Sequence, residues 1–201
     1  MTSSNYIKKN LVYGVGINDA DYAVKPEANG SNTVCRYYIT WKSMITRCYS
    51  KSFQLKNKTY VGCSVSDEWL SFMAFKKWME NQDWIGNHLD KDLLVEGNKI
   101  YSKETCVFVS RLVNQIITRN KLPRKNMPQG VSYNKERDKY VAQIVTYGKY
   151  RNIGRFSTLI DAQNAYRKKK REYIYEVANN QHDERVKKAL IKHAESTYPH
   201  K

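Results

Sequence analysis

A chain of 201 residues with 35 Lys and Arg against 19 Asp and Glu has a formal net charge of +16, which favours a polyanionic partner because each neutralised phosphate releases condensed counterions. Its 16 Tyr and 4 Trp exclude a disordered polycation, and the length allows one large domain or two small ones. No run of about 18 apolar residues is available to span a bilayer, and Met1-Thr2-Ser3-Ser4-Asn5 lacks the apolar stretch of a signal peptide, so a cytoplasmic protein with no membrane partner is expected. Lys and Arg run from Lys8 to Lys201, densest between Arg119 and Arg185 and interspersed with acids, the pattern of a folded basic surface. Cys35, Cys48, Cys63 and Cys106 form no CxxC pair. Reduced, half-buried thiols are therefore expected, with a composite structural zinc site as the lesser alternative.

In chain order, residues 1 to about 33 lack periodicity and read as an extended arm with a short strand around Val12 to Ile17. From Arg36 to Tyr49, Tyr37, Trp41, Met44, Ile45 and Cys48 recur at helical spacing, with Lys42 and Arg47 on the exposed face. A polar loop, a short strand over Tyr60 to Val65 and a helix capped by Ser66 follow, the helix striped by Trp69, Phe72, Phe75, Trp78 and Met79 as core. Leu89 to Val95 reads as a strand, Glu96 to Lys99 as a turn, Thr105 to Val109 as a second strand and Ser110 to Thr118 as a helix with Leu112, Val113, Ile116 and Ile117 inward. Residues 119–129, with two prolines and four basic residues, are the expected boundary between a module over 1–118 and one over 130–201. Beyond it, Gly130 to Tyr133, Tyr140 to Thr146 and Arg151 to Phe156 read as three short strands. Ser157 caps a long helix to about Ala178, and Asp183 to Glu195 reads as a basic amphipathic helix.

Gly130-Val131-Ser132-Tyr133, Tyr140-Val141-Ala142-Gln143-Ile144, Asn152-Ile153-Gly154-Arg155-Phe156 and then Asp161-Ala162 with Ala165-Tyr166 resemble the AP2 DNA-binding domain over about 45 residues, with Tyr140 where plant members favour Trp. The resemblance implies a three-stranded antiparallel sheet packed on one helix and offered to a duplex. By strand alternation, Arg137, Lys139, Gln143, Lys149, Arg151 and Arg155 are the candidates for phosphate and base-edge contacts.

Leu89-Asp90-Lys91-Asp92, Gly97-Asn98, Tyr101-Ser102, Cys106-Val107-Phe108-Val109 and Asn114 resemble the strand-turn-strand-helix of HNH-type nucleases, in particular phage proteins that pair such a ββα-metal module with an AP2 domain. The expected fold class is thus α+β: an HNH-like module with flanking helices, then the AP2-like sheet and helix, then a C-terminal helix. The resemblance implies Asp90 and Asn114 as ligands of Mg²⁺ or another divalent cation; Asp92, on the strand face of Asp90, either completes that set or serves as a turn or salt-bridge carboxylate. Lys91 stands where active members carry the general-base histidine. A lysine is a donor at neutral pH, so a phosphate clamp is its expected role; His88, on the strand face of Asp90, is a candidate substitute base, the alternative being a surface histidine at a strand start.

Walker, GxSxG, HExxH and dinucleotide motifs are absent from the sequence, which leaves no foothold for a small-molecule cofactor. The sequence-level expectation is a phage-type, sequence-selective double-stranded-DNA-binding protein acting as a metal-dependent HNH-like endonuclease, placed in host-cell cytoplasm if phage-encoded. An inactive DNA-binding protein that keeps the nuclease fold is the alternative, and an RNA-binding protein the weaker one. Oligomeric state has no signature in the sequence.

Overall fold

Two successive residues in the left-handed region, Tyr13 (φ 54°) and Gly14 (φ 78°), form the kind of tight turn whose twist matches paired strands. The single strand expected around Val12 is accordingly a hairpin of β1 (Leu11–Val12) and β2 (Gly16–Ile17). The computed structural model describes residues 11–24, 34–118 and 127–199; much of the expected N-terminal arm and residues 119–126 of the expected linker lie outside these. The protein is mixed α+β and divides into units Met1–Phe108 and Val109–Lys201.

In the first unit, α1 (Arg36–Tyr49) buries Tyr38, Trp41, Met44, Ile45 and Cys48. Tyr37 is only partly buried, 5.0 Å from the Trp84 ring, and Arg47 turns from the expected exposed face to lie 5.8 Å over the Tyr60 ring. The polar loop is in fact α2 (Lys51–Lys56), capped by Ser50, and a 3₁₀ turn (Lys58–Tyr60). β3 (Ser64–Val65) then leads to α3 (Asp67–Leu70) and α4 (Phe72–Glu80). One helix was expected over α3 and α4, but it is broken at Ser71, whose backbone is extended and whose hydroxyl accepts from the Ala74 N–H to cap α4. Asp19 holds the break by accepting from Ser71 Oγ at 2.6 Å and from the Met73 N–H at 2.9 Å. Trp41, Trp69, Phe72 and Phe75 are fully buried. Each such side chain contributes roughly 1.5–3 kcal/mol of transfer free energy, and the Trp41 indole donates to the Trp69 carbonyl at 2.8 Å.

Against this core lie β4 (His88–Asp90), β5 (Ile100–Tyr101) and β6 (Val107–Val109). β4 pairs with β6, and β5 pairs in parallel with β3. The strand expected to continue to Val95 stops at Asp90 because its Oδ1 accepts from the N–H groups of Asp92 (2.9 Å) and Leu93 (2.7 Å), which turns the chain.

The second unit begins with α5 (Arg111–Thr118). Expected in the first module, α5 instead shares a crevice with the far end of the sheet and the long helix, lined by Leu112, Gln115, Ile116, Tyr147, Gly148 and Tyr173. The sheet has strand order β7 (Val131–Asn134), β8 (Lys139–Thr146), β9 (Lys149–Phe156), antiparallel throughout. Tyr147 (φ 48°) and Gly148 (φ 77°) supply the β8–β9 turn. Thr158, one residue beyond the expected Ser157, caps α6 (Leu159–Asn179), which packs on β8 and β9, and α7 (Glu184–Thr197) packs on α6. Ala142, Ile144, Ala162, Tyr166 and Ile174 form the seam. At the entrance to β7, Gly130 is required twice: its φ is +73°, and a Cβ there would stand 2.1 Å from the Tyr166 ring and 2.7 Å from the Gln143 carbonyl. Among the described residues no helix is long and apolar enough to cross a membrane.

Candidate functional site

One face of the three-stranded sheet is covered by α6 and the other is open. Ala142, Ile144 and Thr146 of β8 are buried, so the alternate residues Val141, Gln143 and Val145 belong to the open face. Cross-strand pairing carries that face to the neighbours: Ser132 opposite Val141, Asn134 opposite Lys139, Arg155 opposite Val141, Asn152 opposite Gln143 and Tyr150 opposite Val145. Tyr150 is 84% exposed. A groove of about 410 Å³ on this face is lined by Ser132, Asn134, Val141, Gln143, Asn152 and Arg155, together with Tyr133.

A β-bulge decides which candidates share the face. Ala142 pairs with Gly154 but Gln143 pairs with Asn152, so Ile153 is the extra residue and the parity of β9 inverts there. Arg155 consequently lies on the open face, while Arg151 and Lys149, opposite Ile144 and Thr146, belong to the helix side at the sheet edge. Arg151 Nε donates to Thr146 Oγ1 at 2.8 Å. Strict alternation grouped Arg151 and Lys149 with Arg155, and the bulge separates them. Lys139 is on the open face with its ammonium on Ser157 Oγ at 2.9 Å. Arg137 is exposed in the β7–β8 turn, its N–H on Asn134 Oδ1. Asn152, Tyr150, Ser132 and Asn134 are added by the structure. The side chains of Gln143, Asn152 and Arg155 make no hydrogen bond or ion pair with any described residue.

The charge distribution agrees with this geometry. Residues Val109–Lys201 hold 21 Lys and Arg against 8 Asp and Glu, a net +13 of the chain's +16. None of the residues assigned above to the open face is a carboxylate, so nothing on it repels a phosphate backbone.

The end of β4 carries the other candidate residues. Lys91 is 6% exposed, its ammonium 2.6 Å from Asp92 Oδ1 and 2.6 Å from the Asn98 carbonyl, and 5.9 Å from the Tyr101 ring centroid. Those contacts make it an internal strut of the turn that follows β4. The Asn98 amide closes the same loop by donating to the carbonyls of Lys91 (2.9 Å) and Ile100 (2.6 Å). Burial raises the Asp90 carboxyl above its ordinary value, outweighing the Leu93 and Asp92 N–H groups that lower it. Its Oδ2 makes no hydrogen bond to a described residue. His88 is exposed at the start of β4, on the rim of a depression of about 360 Å³ that includes Arg36, Ile39, Trp84 and Phe108. Asn114 lies on α5, in the other unit.

A hard divalent cation takes six or more oxygens in most protein sites. On β4 and its turn, Asp92 Oδ1 is taken by the Lys91 ammonium and Asp90 Oδ1 by two backbone N–H groups, which leaves Asp90 Oδ2 and Asp92 Oδ2 without a hydrogen bond to a described residue. Among the described residues no group of three or more His, Cys, Asp or Glu converges. Burial pushes the Cys48 and Cys106 thiols up to about 12, so both are protonated at neutral pH. Compared with known proteins, the chain matches no family model, no curated protein and no solved structure.

Proposed function

We propose that the protein is a sequence-selective double-stranded-DNA-binding protein that presents the open face of β7–β9 to the major groove. The observation that carries the reading is this face itself: exposed, free of carboxylates, with the uncommitted side chains of Gln143, Asn152 and Arg155 in a unit of net charge +13. The major groove is about 12 Å wide and admits a small β-element, and its base edges are read by amide and guanidinium groups. Arg137 and Lys139 at one end of the sheet and Lys149 and Arg151 at the other would flank the reading centre as phosphate contacts. The arrangement of three strands on a helix is also what the AP2-like residues imply.

The test is a fluorescence-anisotropy titration of the full chain with duplex DNA between about 50 and 200 mM salt, where six to ten phosphate contacts would cost about three to five orders of magnitude in affinity. Flat affinity over that range, or preference for single-stranded RNA, refutes the proposal.

A second reading, HNH-like phosphodiester hydrolysis in the same protein, is favoured by one observation: the half-buried, raised carboxyl of Asp90 with a free Oδ2. Supercoiled plasmid incubated with Mg²⁺ or Mn²⁺ tests it. Nicking that is lost in Asp90→Ala while DNA binding persists supports hydrolysis, and intact plasmid under all conditions removes it.

A further inference from the structure

Resting on the DNA-binding reading above, we infer that Gln143 and Asn152 form an adenine-reading pair at the centre of the sheet, making A·T steps the preferred target. The bulge at Ile153 brings these two amides opposite each other across β8 and β9, and cross-strand partners stand about 4.5–5.5 Å apart at Cβ. Without the bulge, Ile153 would continue the register opposite Gln143 and the amide would face an aliphatic side chain.

Three features of the pair select the base. A carboxamide offers one donor and one acceptor in a plane, which matches the N6 amino group and N7 of adenine, whereas guanine presents two acceptors, O6 and N7, that one amide cannot satisfy together. Neither amide makes a side-chain hydrogen bond to a described residue, so no internal bond has to break on docking. The flanking open-face residues extend the code. Val141 and Val145 offer apolar contact to thymine methyl groups, and Arg155, opposite Val141, carries the planar fork that matches guanine O6 and N7. The predicted target is thus A·T-rich with a G·C pair on the Arg155 side.

Because both amides are neutral, they contribute to sequence preference and not to counterion release, which separates their role from that of the lysines and arginines. The experiment selects duplexes from a randomised pool with the full chain, then measures affinity for the selected duplex and for versions with each A·T pair changed to G·C. It uses wild type, Gln143→Ala, Asn152→Ala and Gln143→Glu, with thermal melting in parallel.

The expected results are adenine steps in the selected sequences and roughly five- to a hundredfold loss on changing a contacted adenine in wild type. That loss should collapse at one position in each alanine variant, with the slope of log affinity against log salt unchanged. Gln143→Glu, which keeps an acceptor and loses the donor, should move the preference at its position towards cytosine, whose N4 amino group donates. Salt-dependent duplex binding with no adenine preference, or with a preference that survives both alanine substitutions in folded protein, overturns the adenine assignment and leaves the DNA-binding reading standing. Absence of salt-dependent duplex binding overturns both.

Discussion

Replacing Arg155 and Arg151 in parallel isolates the consequence of the bulge in β9. The two side chains are four residues apart on one strand and carry the same charge, yet Arg155 is opposite Val141 on the open face and Arg151 is opposite Ile144 on the helix side, bonded to Thr146. On the proposed DNA-binding reading, Arg155→Ala would remove a bidentate base contact, about 1–3 kcal/mol of discrimination, so the ratio of specific to non-specific affinity should fall by about one order of magnitude while melting is unchanged. Arg151→Ala should leave that ratio intact. It removes one internal hydrogen bond worth about 0.5–1.5 kcal/mol, which for a unit of this size lowers the melting temperature by several degrees. The assay is anisotropy against a preferred and a scrambled duplex, with calorimetry on the same preparations. If Arg151→Ala reduces the affinity ratio as much as Arg155→Ala does, the two arginines share a face and the parity argument is wrong.

Three further outcomes follow from the packing. Gly130→Ala combines a left-handed backbone with a Cβ 2.1 Å from the Tyr166 ring. It should destabilise the protein by about 2–4 kcal/mol as strain and overpacking add, read as a lowered denaturation midpoint; a loss under 1 kcal/mol would show that Tyr166 yields freely. Lys91→Met removes the buried ammonium from Asp92 and Asn98 and should cost about 1–3 kcal/mol, since half-exposed Asp92 can rehydrate, without altering duplex affinity. Weakened DNA binding in a fully stable variant would restore the phosphate-clamp role. Asp183, the N-cap of α7, is held below the ordinary carboxylate value first by its hydrogen bonds from the Arg185 side chain. A depressed folded value stabilises above the unfolded value and is lost as pH falls through the folded one, so Asp183→Asn should flatten the acid limb of the stability curve below about pH 4; superimposable acid limbs would contradict this.

The periodic parts of the chain were legible in the sequence because their pattern is local. Trp41, Met44, Ile45 and Cys48 share one helix face at a spacing that needs no partner to be recognised, and the alternation in Tyr140 to Thr146 marks a half-covered strand. Elements of two or three residues have no period to read. β3 and β5 exist only because Ser64–Val65 meets Ile100–Tyr101 some 36 positions later, and the helix break at Ser71 depends on Asp19, 52 positions earlier.

The candidate residues divide in the same way. Strand alternation over the AP2-like segment offered Arg137, Lys139, Gln143, Lys149, Arg151 and Arg155, and chain order alone put Asp90, Lys91 and Asp92 together at a strand end. Tertiary structure decided what each can touch. One inserted residue, Ile153, is invisible in a pattern of alternating side chains but inverts the parity of the residues before it relative to those after it, so that Arg151 goes to the helix side and Asn152 to the open face that Arg155 shares. Lys91, which in sequence is one more cation in a basic protein, is enclosed because the Asn98 carbonyl and the Tyr101 ring converge on it beside its chain neighbour Asp92. A charge buried at 6% exposure persists only with such partners, and the two that the fold brings from further along the chain cannot be read from the residues beside it.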